Sequence, residues 1–132
     1  MKKLLLAAAA LSLFAVAAPA HAAVTHKADC LLVVDGKANI NGPCDYTPGP
    51  EGSFEVSTYV VTHQGADAAH TRGHGSFAQV NPGEMSTWNG GGSYHAQEPL
   101  GDGNLHRAGA CWQNEGAKVC AWKLGEPRYF VN

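Results

Sequence analysis

The sequence predicts an all-β domain: a small antiparallel sandwich or barrel of seven or eight short strands, stapled by two disulfides. Three observations carry this. Sixteen glycines and seven prolines punctuate the 132 residues, and turn signals recur roughly every eight to twelve residues, as in small sandwiches and barrels. No segment beyond the first 22 residues offers three helical turns with an apolar stripe of 3.6-residue period. The four cysteines fall into two local pairs, Cys30 with Cys44 and Cys111 with Cys120.

The elements follow in order. Residues 28–34 read as a strand around Cys30-Leu31-Leu32-Val33-Val34, and Asp35-Gly36 is a strong hairpin signal. Residues 38–41 are the returning strand. A plain two-residue turn there pairs Cys30 with Asn41, so a bulge or bend at Asn41-Gly42-Pro43 must bring Cys44 back. Residues 47–52 are loop by composition. Residues 53–62 alternate as a strand, with a bulge near Tyr59. Residues 63–69 are loop-like, 72–80 a glycine-rich strand, 81–84 a turn and 85–88 a short strand. A flexible loop runs from Asn89 to Ser93, and residues 97–103 form another connection. Residues 105–114 and 117–124 make a last hairpin, and 128–131 add an edge strand.

That last hairpin is the most informative stretch. With Glu115-Gly116 as a two-residue turn, Asn114 pairs with Ala117, Gln113 with Lys118, Trp112 with Val119, and Cys111 with Cys120. The cysteines then occupy a non-hydrogen-bonded site, where Cα atoms approach most closely and a disulfide fits well. Alternation sets Trp112, Val119, Ala110 and Ala121 on the opposite face, while Trp122 shares the disulfide side. Both faces carry large apolar groups, so something must cover the second one. The connectivity Cys30–Cys44 with Cys111–Cys120 is preferred because it closes two local loops; spacing leaves two crossed alternatives open. Each closure adds about 3 kcal/mol on a chain-entropy model.

An oxidising compartment is expected from the other end of the chain. Lys2 and Lys3 precede an apolar run over 4–18, and Ala20-His21-Ala22 places small residues at the −3 and −1 positions. This is the pattern of a signal peptide cut after Ala22, leaving 23–132 as one domain in the periplasm or outside the cell. The apolar run is shorter than the ~20 residues of a spanning helix.

Charge narrows the partners. Without Lys2 and Lys3 the chain has seven basic and eleven acidic residues, a formal charge of −4, and the basic residues are scattered along the sequence. Nucleic-acid binding is disfavoured. Among the histidines only His63, His70 and His74 cluster, but the glycines around them argue against a helical metal clip, and no metal is expected. Ser76 lacks the Gly-x-Ser-x-Gly frame of a nucleophile elbow, and Gly90-Gly91-Gly92 lacks the lysine and helix of a phosphate loop. No cofactor is expected, and the chain reads as non-enzymatic.

The candidate binding segment is Trp88-Asn89-Gly90-Gly91-Gly92-Ser93-Tyr94-His95, a glycine tip between aromatics. Trp88, Ser93, Tyr94 and His95 suit a sugar face or a protein hot spot, because aromatics bury much area at little rotamer cost. Against this stands the alternative that Trp88 and Tyr94 simply pack inward.

Cys30-Leu-Leu-Val-Val-Asp-Gly, Gly42-Pro-Cys44, Gly52-Ser-Phe54, Leu100-Gly and Arg107-Ala-Gly-Ala-Cys-Trp-Gln-Asn, continuing to Trp122, resemble a family of small secreted bacterial proteins of unassigned function. More remotely, size, compartment and disulfides resemble the periplasmic inhibitors of c-type lysozyme. Those use a Ser-Gly-x-x-Tyr segment, echoed at Gly92-Ser93-Tyr94, and a later Lys-Gly-x-Glu element that has no counterpart here. The resemblance implies a non-enzymatic envelope protein that docks a lysozyme-like partner. A glycan- or peptidoglycan-binding module is the alternative, and a metal-binding or enzymatic protein a third.

Overall fold

The computed structural model describes residues 24–62, 71–90 and 97–131. The fold is all-β, and the strands among these residues are β1 (His26–Val34), β2 (Lys37–Pro48), β3 (Phe54–Thr62), β4 (Thr71–Val80), β5 (Thr87–Trp88), β6 (Glu98–Pro99), β7 (His106–Ala108), β8 (Cys111–Gln113) and β9 (Ala117–Lys123). They form one sheet in the order β6-β5-β4-β3-β2-β1-β9-β8-β7, antiparallel throughout and curled into a half-barrel. Each strand lies beside its successor except β6, which is separated from β7 by the whole sheet, because β9 returns to pair with β1. The two edge strands, β6 and β7, are therefore consecutive in the chain.

The two faces of β1 explain the two-sided apolar pattern. Ala28, Cys30, Leu32 and Val34 point to the concave face and join Ile40, Cys44, Phe54, Val56, Ala78, Val80, Leu100, Ala117 and Val119 in the main core. Leu31 points the other way, onto a second cluster of Cys111, Cys120 and Trp122. The two disulfides thus pin opposite faces of the same sheet.

Cys111 lies directly across from Cys120, with Cα atoms 4.0 Å apart. The Ala121 amide donates to Ala110 and the Asn114 amide to Ala117, so the cysteine pair between them is a non-hydrogen-bonded one. Cys30–Cys44 forms differently. Asp35 and Gly36, with φ of 50° and 77°, make the primed turn that matches strand twist. One extra residue, Asn39, then bulges between Ile40 and Ala38, so that Cys30 faces Gly42. Cys44 is reached along the diagonal on the same face, at a Cα separation of 5.8 Å. The bulge lies earlier than the expected bend at 41–43.

Several expected boundaries are corrected. Residues 105–114 are two strands, because Gly109, at φ 62°, reverses the chain. Ala110 is a turn residue and packs against the disulfide cluster. The second strand runs on to Pro48, well past Asn41. Residues 128–131 form no edge strand; they cross the convex face.

A bulge also lies where β3 meets β4: Gly75 and Ser76 together oppose Thr58. The Ser76 amide donates to the Thr58 hydroxyl at 3.1 Å, and a Cβ on Gly75 would overlap the Thr58 carbonyl. Buried Asn89 extends this ladder from beyond β5. Its Oδ1 accepts from the Phe77 amide at 3.1 Å and its Nδ2 donates to the Gly75 carbonyl at 2.9 Å.

The seam between β6 and β7 is closed by a side chain. Asn114 Nδ2 donates to the Leu100 carbonyl (2.9 Å), to Asp102 Oδ1 (2.9 Å) and, more weakly, to the Asn104 carbonyl (3.3 Å). Its Oδ1 accepts from the Gly116 and Ala117 amides at 3.0 and 2.8 Å, which shapes the β8–β9 turn as an Asx turn. Leu100 is fully buried, and a Cβ built on Gly116 would lie 3.0 Å from the Gly101 Cα, so the backbones meet directly.

Two stability changes follow. Asn114→Ala strands backbone groups on both sides of the seam and lowers stability by about 1–3 kcal/mol in urea denaturation. Gly75→Ala forces the bulge apart, with a loss of about 1–3 kcal/mol from overpacking; unchanged midpoints for either variant contradict these roles.

Candidate functional site

The expected binding segment divides at Gly90. Trp88 is half-buried on β5, packs against the main core and lines a cleft of about 380 Å³ with Val34, Asp35, Lys37, Asn39 and Gly90. Its ring is therefore partly a core group. Ser93, Tyr94 and His95 lie outside the described residues, as do His63 and His70; His74 lies on β4. Among the described residues no group of three His, Cys, Asp or Glu side chains could hold a metal ion. Ser76 sits in the β4 bulge rather than on a strand-to-helix turn.

Another cleft, of about 340 Å³, opens at the end of the half-barrel where β1 starts, β2 and β9 finish, and the β7–β8 turn lies alongside. Register shows how it is built. Tyr46 lies opposite His26 on one side and Val56 on the other, which puts it on the concave face. Its ring stacks on Phe54 at 5.2 Å between centroids, with planes inclined by 29°. Trp112 lies opposite Val119 and, on its other flank, opposite Arg107, so Arg107 shares the concave face with Trp112. Lys123 lies opposite Ala28 on that same face. Aromatic rings thus line the cleft, and basic side chains ring it. Among the described residues, no Asp, Glu, Ser or Cys contributes to its lining.

This cleft is not legible in the order of residues. By alternation alone, 105–114 reads as one continuous strand carrying both Arg107 and Trp112. Only the reversal at Gly109 folds it back beside the indole. The signal was present in Ala108-Gly109-Ala110 between two alternating tripeptides, but it is short.

Behind the cleft, the C-terminal segment covers Trp122, which is 8% exposed. Arg128 grips Asp29 with two hydrogen bonds, Nε to Oδ2 at 2.8 Å and Nη2 to Oδ1 at 2.6 Å, and reaches Asn41 Oδ1 at 2.7 Å. Its guanidinium lies 5.1 Å from the Trp122 ring centre. The indole N–H donates to the Tyr129 carbonyl at 3.2 Å, and Phe130 packs edge-on at 5.2 Å. The convex apolar face is thus covered by the chain's own last residues.

Comparison with family models, with curated proteins and with solved structures finds no match for this chain. Fold and site alone define its class: a disulfide-stapled β half-barrel with an aromatic, basic-rimmed cleft at one end. The disulfides point to an oxidising compartment, periplasmic or extracellular. Among the described residues no helix is long and apolar enough to cross a membrane.

The Arg128 clasp makes a pH prediction. Its hydrogen bonds hold the Asp29 carboxyl below its ordinary value of 3.8, against a smaller opposing effect of burial. A depressed folded-state pKa contributes stability that is present above the unfolded value and lost as pH falls through the folded one. Wild type therefore loses this contribution on acidification below about pH 4. Asp29→Asn starts less stable at neutral pH and has a flatter acid limb in denaturation midpoints; parallel acid limbs contradict the clasp.

Proposed function

We propose that this chain is a non-enzymatic binding protein of the periplasm or extracellular space, exported with residues 1–22 removed, whose ligand occupies the cleft between Tyr46, Trp112 and Arg107. One observation carries the reading: a cleft lined by aromatic rings, with no carboxylate, serine or cysteine among the described residues, on a sheet pinned by disulfides on both faces. Preformed concave sites of this kind bind by apolar burial and a few fixed polar groups. A rigid scaffold keeps the ordering cost of binding small.

A second reading rests on Trp88. Its half-buried ring beside Asp35, Lys37 and Asn39 suits the apolar face and hydroxyls of a sugar, as a peptidoglycan-binding module requires. The lysozyme-inhibitor version adds Ser93, Tyr94 and His95 as contact residues.

The tryptophans separate these readings, since Trp88 lines one cleft while Trp112 and Trp122 line the other. The indole N–H resonances of nitrogen-15-labelled protein are followed during titration with small amphiphiles, peptidoglycan fragments and a c-type lysozyme. The proposal expects a small ligand to shift Trp112 first. A shift confined to Trp88 with peptidoglycan fragments or lysozyme favours the second site, and no shift with any of the three overturns the binding reading.

A further inference from the structure

We infer that the cleft selects a small amphiphile bearing one anionic group, held by Arg107, with its planar apolar part against Tyr46 and Trp112. This rests on the binding reading above and adds the ligand's chemistry.

The charge distribution singles out Arg107. The chain has a formal net charge of −2, yet His26, Lys27, Arg107 and Lys123 line this one cleft and no acid among the described residues does. Lys27 is paired with Asp45, its cross-strand neighbour. Lys123 reaches Glu126 at 3.6 Å. The fork of Arg128 is filled by Asp29 and Asn41. Arg107 differs from all three. Its Nε donates to the Gly109 carbonyl at 3.2 Å, and its Nη groups make no hydrogen bond among the described residues. The Nε bond restrains the guanidinium and leaves its outer edge available. Such an edge matches a carboxylate, sulfate or phosphate with two parallel hydrogen bonds.

Size and surface define the rest of the ligand. A cleft of about 340 Å³ lies at the lower end of the range for small-molecule sites, too small for an extended chain. The stacked pair Tyr46 and Phe54, with Trp112, offers mainly ring faces and edges, to which the Tyr46 hydroxyl and the Trp112 indole N–H add two polar groups. A flat aromatic or short acyl body fits that lining, and the charge lies at the rim where water and Arg107 share it.

Isothermal titration calorimetry tests this with one ring system and four head groups: 1-naphthoate, naphthalene-1-sulfonate, 1-naphthyl phosphate and uncharged 1-naphthalenemethanol. At least one anion is expected to bind ten times more tightly than the alcohol, and the order among the anions identifies the head group. Arg107→Gln is expected to weaken that anion by about tenfold to a hundredfold, to leave the alcohol unchanged and to preserve the unfolding midpoint. Lys123→Gln is expected to weaken it less than threefold. Equal binding of anions and alcohol, or an unaffected Arg107→Gln variant, overturns the anion inference while leaving a binding cleft. Absence of heat and of any Trp112 shift with all four probes overturns both.

Discussion

The architecture depends on how its open seam is held. An antiparallel meander whose first and last strands pair has curled most of the way to closure, yet β6 and β7 leave two unpaired edges. Unpaired edges expose rows of donors and acceptors and invite pairing with other chains. Here they are short and are joined through the 100–105 connection, which the Asn114 carboxamide binds to the β8–β9 turn. One side chain satisfies backbone groups on both sides of the gap. Without that clasp, β7 and β8 would hang from β9 alone, and the β7–β8 turn sets the wall of the cleft.

The same logic explains why the two disulfides are not redundant. Cys30–Cys44 fixes the β1–β2 register after the Asn39 bulge, on the concave side. Cys111–Cys120 fixes β8 against β9 on the convex side, beneath Trp122. β1 runs between them and contributes Cys30 to one face and Leu31 to the other. A one-residue slip of β1 would turn Leu31 inward and Cys30 outward, so the concave bridge also guards the strand's register.

Much of this scaffold was legible in the sequence because it is local. The Asp35-Gly36 turn is a signal of two adjacent residues, and the pairing of Cys111 with Cys120 and the opposite orientations of Trp112 and Trp122 follow from alternation counted outward from a turn; Cys30–Cys44 followed only from local loop closure, since the plain turn count pairs Cys30 with Asn41. What failed were features set by tertiary contact. Residues 128–131 have the composition of an edge strand, but Arg128 finds Asp29, 99 positions away, and Phe130 finds Trp122, so the segment crosses the face instead. The cleft was hidden for the same reason. Tyr46, Arg107 and Trp112 come from three strands, and a motif of adjacent residues cannot report them.

The two arginines at this end show how similar side chains acquire different uses. Arg128 lies over an indole and is saturated by a carboxylate and a carboxamide, so its charge is neutralised within the fold and its work is structural. Arg107 lies across a strand pair from another indole and, among the described residues, has only a backbone carbonyl for a partner. A neutralised guanidinium stabilises a surface that needs covering; one without a counter-ion, at the mouth of an apolar cleft, creates a demand for one. In the proposed complex, burying a ligand's rings on Tyr46 and Trp112 would lower the local dielectric around that guanidinium and strengthen its attraction for an anion. On the proposed reading, apolar burial and charge recognition reinforce each other at this end of the half-barrel. The polar cleft beside Trp88 lacks that coupling, because Asp35 and Lys37 lie together in its lining.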